Sequence, residues 1–405
     1  MSAEMTTSNR REASMKIDVH GHMSAPDSFY AWKAGLLAHR GAHGGKPPVI
    51  SDDELRESYL SPHPSFGNIS HMEHVTGAGI DLQLLSPRPY QAMHSEQPAK
   101  IVEWFTAESN NLIQRAAELF PGQFKGIAGL PQSPDLEPKQ WIAELRRAVT
   151  ELGFVGLMLN TDPYEGTKTP LALGDRYWYP VYEAAVELNV PILLHSAGCK
   201  PPAREPYSLH FIQEETIAVW SLLESSVFTD FPDLHIIVPH GGGAIPYQVG
   251  RFLPSIARSG VSYIDKLRQL WFDSCLYTQD ALELLFKTVG TDRVLFGSEK
   301  PGTGSQIDPA TGRWFDDIHL LIDDIEWLDE TQRLQLFESN ARSLFRLLQT
   351  SWPGPSGVLQ ILTTERECCE YDENDRQEQR SQYGPQDRDV LPGRQRGGRR
   401  GEGRR

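Results

Sequence analysis

Short apolar runs recur along the chain, and amphipathic stretches separate most of them. The strand-like runs fall at residues 16–22, 81–85, 124–130, 154–159, 190–194, 234–238, 270–273 and 294–296. The helix-like segments fall at 101–118, 138–152, 177–188, 214–224, 244–258 and 281–289, with a final helical region from 317 to about 348. Eight strands alternating with helices predict an α/β chain folded as a (β/α)8 TIM barrel. A doubly wound open sheet is the alternative. No G-x-G-x-x-G follows a strand, which weakens the dinucleotide-binding form of that fold.

Two stretches depart from the alternation. Residues 23–74 are rich in Gly, Pro and His and include Arg40-Gly41-Ala42-His43-Gly44-Gly45. That is too long for an ordinary connection in a compact domain. It reads as an insertion after the first strand that covers a site, with a short helix at 52–59 and the end of another at 72–78. Beyond Trp352-Pro353-Gly354-Pro355 the chain turns polar and ends in an Arg/Gly stretch, with too few apolar residues to fold. The expected organisation is a disordered extension over 1–14, a barrel over 15–350 and a disordered charged tail over 351–405.

The 405 residues, 39% of them hydrophobic, can bury a large core, and the formal net charge of -15 argues against nucleic acid or an anionic membrane as partner. An Arg/Gly tail can bind RNA, but this one carries as many acidic as basic residues. Cys199, Cys275, Cys368 and Cys369 form neither a zinc-type pairing nor a disulfide framework, which suits a reducing compartment. Residues 1–13 have no apolar stretch of the secretory type, and no run reaches membrane-spanning length. A cytoplasmic protein, and a homodimer, are expected.

Candidate chemistry lies at the strand ends. Lys16-Ile17-Asp18-Val19-His20-Gly21-His22, read as a regular strand, puts Ile17 and Val19 on one face and Asp18, His20 and His22 on the other. The C-terminal ends of barrel strands form the active-site mouth. Strand 2 runs out into Ser86-Pro87-Arg88, strand 4 into Asn160, strand 5 into His195, strand 6 into His240-Gly241-Gly242-Gly243, strand 7 into Asp273-Ser274 and strand 8 into Glu299. Three histidines and a carboxylate with an open position describe a Lewis-acid zinc site. His20, His22, His195 and Glu299 are the expected ligands, of one Zn2+ per chain or of another divalent metal. His240, followed by glycines that let a backbone or ligand come close, is left for proton transfer. Arg88 can grip a carboxylate bidentately or face solvent, and the same choice holds for Lys300. Asn160 and Tyr207 are candidate substrate-binding groups, with Tyr90 a further donor. His43, His63, His71, His74 and His94 lie off the strand ends and are given no direct role, and His235 reads as structural.

Asp18-x-His20-x-His22, the lone His195, His240-Gly-Gly-Gly and the acidic end of strand 8 resemble the amidohydrolase-related, metal-dependent barrels that include aminocarboxymuconate-semialdehyde decarboxylase. The resemblance covers about residues 15 to 348. Within that group the chain is similar to the 4-oxalomesaconate hydratases through Ser86-Pro87-Arg88, Leu130-Pro131-Gln132-Ser133-Pro134, Trp178-Tyr179-Pro180, His240 to Tyr247, and Phe296-Gly297-Ser298-Glu299 with Ile307-Asp308-Pro309. Decarboxylase members usually carry Asp where this chain has Glu299. The resemblance implies a metal-dependent hydro-lyase acting on a small polycarboxylate, 4-oxalomesaconate, hydrated to 4-carboxy-4-hydroxy-2-oxoadipate in protocatechuate or gallate catabolism. Glu299 and His240 would then be the proton-transfer pair, in either order. A decarboxylase of a muconate semialdehyde or hydroxybenzoate, a metal-dependent hydrolase, and a non-catalytic metal-binding barrel are the alternatives.

Overall fold

The computed structural model describes residues 15–345, apart from residue 206, together with residue 348. The extension over 1–14 and the charged tail over 351–405 lie outside the described residues. Eight strands form one sheet in sequential order. They are β1 (Ile17–His22), β2 (Leu82–Ser86), β3 (Phe124–Ala128), β4 (Gly156–Leu159), β5 (Ile192–Leu194), β6 (Ile236–Val238), β7 (Trp271–Asp273) and β8 (Val294–Leu295). Every neighbouring pair is parallel. Val19 N donates to Phe296 O (2.9 Å) and Glu299 N to His20 O (2.8 Å), so the exit of β8 meets β1 and the sheet closes into a (β/α)8 barrel.

Each strand contributes to one buried cluster that includes Ile17, Leu82, Ile127, Met158, Leu193, Ile237, Trp271 and Leu295. Ala341, Leu344 and Phe345, from and just beyond the helix Asn340–Leu344, join it and plug the N-terminal end of the barrel. An apolar floor of this kind leaves the opposite end for polar side chains.

β1 is not the regular strand that strict alternation predicts. Asp18 pairs with Gln83 but Gly21 pairs with Leu85, so three steps on β1 match two on β2, a bulge. Ile17 and Val19 both join the interior cluster, and the bulge then lets His20 point inward directly after Val19. Asp18 is left on the outer side with Gln83, away from the histidines. Its carboxylate accepts from His20 N, Ser298 N, Ser298 Oγ and Gln83 Nε2, which buckles β1 to β2 and to the end of β8. Gly21 is required there, because a Cβ would meet the Gln83 side chain at 2.5 Å.

The insertion is more ordered than its composition suggests. It holds the expected helix, Asp52–Leu60, capped by Ser51, and His71–Gly77 with a Ser70 capping box. It also holds a helix at Asp27–His39 that the pattern misses, since apolar residues fall on several sides of it. The segment expected as a helix at 244–258 is instead broken into short turns, Pro246–Arg251, Leu253–Ser255 and Ile256–Ser259. Pro246 and Pro254 each remove a donor from any continuous ladder. Among the described residues, no helix is long and apolar enough to cross a membrane.

His71 sits in the packing between insertion and barrel. Its ring bonds Ser24 Oγ (2.9 Å) and Gln83 Oε1 (2.9 Å). Burial first, and Arg88 and neighbouring imidazoles after it, lower its pKa to about 3 against the Gln83 bond. The unfolded chain therefore binds a proton below about 6.5 that the folded chain refuses until about pH 3, so this contribution is complete above pH 6.5 and is lost as pH falls. His71→Gln should make the decline of unfolding free energy between pH 6 and 4 shallower by up to about 1.4 kcal/mol per pH unit. Urea unfolding of both proteins across that range checks it, and equal slopes would refute it.

Candidate active site

His20, His22, His195, His240 and Glu299 come together at the C-terminal mouth. The imidazole rings of His20, His22 and His195 stand 5.1–5.2 Å from one another. Each has its Nδ1 committed. His20 Nδ1 donates to Asp273 Oδ2 (2.6 Å), His195 Nδ1 to Ser196 O (2.8 Å), and His22 Nδ1 bonds Ser86 Oγ (2.8 Å). Ser86 Oγ in turn donates toward Gly21 O and Pro87 O, so it takes the His22 proton. The Nε2 atoms of all three are buried without a hydrogen-bond partner among the described residues. Anchoring at Nδ1 fixes the tautomer that turns the Nε2 lone pair inward, as metal-ligating histidines require. Glu299 Oε1 lies 3.8 Å from His22 Nε2. Three orphaned imidazole nitrogens facing a carboxylate fit a divalent cation.

Electrostatics agree with that fit. Burial lowers the pKa of His22 to about 4 and takes His195 well below the imidazole range, so both are neutral. Burial also opposes a charge on His20, yet the Asp273 carboxylate raises its pKa; a cation at Nε2 would take that proton's place. Burial alone would raise the Glu299 pKa. The nearby His22 ring and the charges of His240 and His20 instead hold it well below the usual carboxylate range. Tyr277 Oη donates to Glu299 Oε2 at 3.1 Å.

His240, and not His22, has ligand atoms that all lie within 4.8 Å of those of His20, His195 and Glu299, so distance alone would admit it as a ligand. Its electrostatics differ from those of His22 and His195, whereas His20 shares with it a carboxylate at Nδ1 and a raised pKa. The His240 Nδ1 faces both oxygens of the buried Glu215 carboxylate, at 2.9 and 3.1 Å. Burial works against its charged form, but Glu215 overrides this and raises its pKa to about 10. A protonated imidazole has no lone pair for a metal and a proton to give. His240 and Glu299 both adopt positive φ, 50° and 59°, which is uncommon for residues with a Cβ and stores strain of the kind found at functional sites. The glycines after His240 serve backbone approach: a Cβ on Gly242 would meet the Phe272 ring at 2.7 Å.

Arg88 is buried, with its guanidinium 5.0 Å over the Phe66 ring of the insertion. Nη1 reaches Pro301 O at 3.4 Å, and Nη2 has no hydrogen-bond partner among the described residues. Arg88 lines a cavity of about 580 Å3 together with Tyr30, His63, Phe66 and Tyr90, so the insertion does wall a cavity. His240 and Glu299 line another of about 440 Å3 with Phe211, Tyr247 and Tyr277. Tyr207 is half-buried, its ring between those of Tyr90 and Phe211. Asn160 does not present a free amide. Its Oδ1 accepts from Asp162 N and Ala197 N and its Nδ2 donates to Asp162 O, which makes it a brace of the loop after β4. Lys300 neither faces solvent nor points at the mouth; Asp317 (2.6 Å) and Asp316 (3.1 Å) neutralise it in a buried ion pair.

Glu215, Asp273 and Tyr277 are site residues with no role in the sequence reading. The strand-end rule places Asp273 at the mouth, as it does His195, but assigns it no role. Glu215 lies mid-helix, in Ser208–Leu223, where no strand-end signal exists.

The amidohydrolase family profile matches residues 17–347. The chain belongs to the amidohydrolase family. This amidohydrolase is 39% identical over 337 residues to a 2-keto-4-carboxy-3-hexenedioate hydratase of Sphingobium sp. strain SYK-6, covering 82% of this chain and 96% of the relative. The crystal structure of a 4-oxalomesaconate hydratase from Rhodopseudomonas palustris superposes with a TM-score of 0.73 at 35% identity, covering 83% and 97% of the two chains. A 5-carboxyvanillate decarboxylase from Novosphingobium aromaticivorans, solved with bound manganese, shares the fold at 17% identity, with a TM-score of 0.63 and coverage of 83% and 98%.

Proposed function

We propose that this amidohydrolase is a zinc-dependent hydro-lyase that adds water to 4-oxalomesaconate, giving 4-carboxy-4-hydroxy-2-oxoadipate in protocatechuate or gallate catabolism. The observation that carries the reading is a carboxylate, Glu299, and an imidazole, His240, whose Nδ1 is bonded to the buried Glu215 carboxylate, lining one cavity. Addition of water across a double bond needs both a base and an acid, whereas loss of carbon dioxide needs only the acid. The similarity to two hydratases supports the same choice. His20, His22, His195 and Glu299 would hold the cation, which when bound supplies Lewis acidity toward water and the developing enolate oxygen.

This chain's own groups do the rest. Arg88, with a guanidinium nitrogen unpartnered and a cavity before it, takes a substrate carboxylate. Glu299 accepts the proton of the attacking water. His240 gives its Nε2 proton to the carbon alpha to the ketone, and Glu215 holds the ring in place for the transfer. Tyr207 stands beside the same mouth as a donor to the substrate.

Incubation with 4-oxalomesaconate, read by mass spectrometry, tests the reading. The product should gain one water. Release of carbon dioxide from a hydroxybenzoate or muconate semialdehyde, with oxalomesaconate untouched, would replace it with the decarboxylase reading. Arg88→Lys keeps the charge but loses the fork, and should lower kcat/KM by the equivalent of about 1.5–3 kcal/mol, the range for hydrogen bonds to charged groups. An unchanged kcat/KM would remove Arg88 from substrate binding.

A further inference from the structure

We propose that Asp162, His210 and Glu214 form a second binding site for a divalent cation of the zinc or manganese class, one that ties the loop after β4 to the helix Ser208–Leu223. The three side chains each offer a ligand atom, and these atoms lie within 4.8 Å of one another. His210 and Glu214 are one helical turn apart on the same face, and Asp162 meets them from the loop. All three are buried, His210 completely.

The second observation is the state of His210. Neither of its ring nitrogens has a hydrogen-bond partner among the described residues. Nε2 points toward Asp162 Oδ2 at 3.9 Å and Nδ1 toward Glu214 Oε1 at 4.0 Å, too far for hydrogen bonds. A fully buried imidazole with both nitrogens unsatisfied, set between two carboxylates, is costly as it stands. Ligands of one tetrahedral zinc stand about 3.4 Å apart, so side-chain shifts of about an ångström would close the set.

The charge balance points the same way. Two carboxylates face one guanidinium, Arg204, whose Nη2 donates to Glu214 Oε1 at 3.0 Å. Glu205 adds to the negative side, while Glu165 is paired with Lys200 at 3.5 Å. Asp162 is already oriented by Tyr164 N and Gly166 N, in the manner of supported metal-ligating carboxylates. A cavity of about 270 Å3 borders Glu214 and Arg204. The competing occupant is a proton, since burial and Asp162 raise the Glu214 pKa to about 7.

The helix held by this cation carries Phe211, whose ring lies 5.1 Å from that of His195, and Glu215, the partner of His240. The second site would therefore position the first, and its existence does not depend on which reaction the first performs. The test uses the full chain, stripped with chelator, reloaded with Zn2+ or Mn2+ and desalted. Elemental analysis should find about two metals per chain, falling to about one in Glu214→Gln and, separately, in the His20→Ala/His22→Ala protein. Crystals of the reloaded enzyme should show anomalous peaks in both places. A single metal per chain, with its only peak at the three histidines, would overturn the proposal and assign the triad a proton.

Discussion

Replacing His20 and His22 together by Ala should leave a folded barrel with no cation at its mouth and no measurable hydration. The expectation follows from how the ligands are distributed. Two of the three orphaned Nε2 atoms come from β1, and their removal leaves only His195 and Glu299, too few for a closed set. The fold should survive, because Ile17 and Val19 anchor the strand in the apolar floor and Asp18 still clips it to Gln83 and Ser298. Circular dichroism establishes the fold, and an anomalous map of the metal-soaked variant reads the site. A milder change bears on the same assignment. Asp273→Asn keeps the bond to His20 but weakens it, and should cost about 10–100-fold in metal affinity, as expected for a group that orients a ligand. Full occupancy at the mouth of the double variant would sink the ligand assignment.

The parts of the fold legible in the sequence are those where one physical signal dominates. Buried parallel strands are short apolar runs, and the surrounding helices need only one apolar face, so the alternation survives on the page. Strand ends are legible for the same reason: a histidine or carboxylate that closes an apolar run sits where the barrel opens, as His195 and Glu299 do. Legibility fails where geometry is set by a neighbour. The bulge in β1 is fixed by pairing with β2 and by the Asp18 bonds, so period-two counting puts Asp18 on the wrong side and Val19 outside the barrel interior. Asn160 has the sequence position of a site residue, yet the amides of Asp162 and Ala197 claim its oxygen first. Glu215 reaches His240 from a helix, a long-range contact that no local pattern records. The proline-broken segment at 246–255 shows the reverse case, where a local rule was available and outweighs the apolar period.

Glu299→Gln should lower the rate of hydration by about 10²–10⁴-fold, the usual contribution of a general base, with the metal still in place. The substitution is informative because the carboxamide preserves nearly everything else. Its oxygen can still face His22 Nε2 or accept from Tyr277 Oη, and its size suits the same left-handed backbone. What it cannot do is take a proton. Glu299 is suited to that role by position more than by basicity. The charges around it hold it deprotonated, so its competence rests on standing where water would be activated while His240 holds a proton ready in the same cavity. Glu reaches one methylene further into the mouth than Asp would from the same strand end, which lets one oxygen face the ligand set while the other addresses water. If Glu299 were a ligand alone, the Gln protein would keep its metal and hydrate at near the original rate. If instead the metal leaves with the substitution, ligation and base chemistry are inseparable in the Gln protein. Glu299→Asp then separates the two, since it keeps a carboxylate that can ligate and accept a proton but sets it one methylene back from the water.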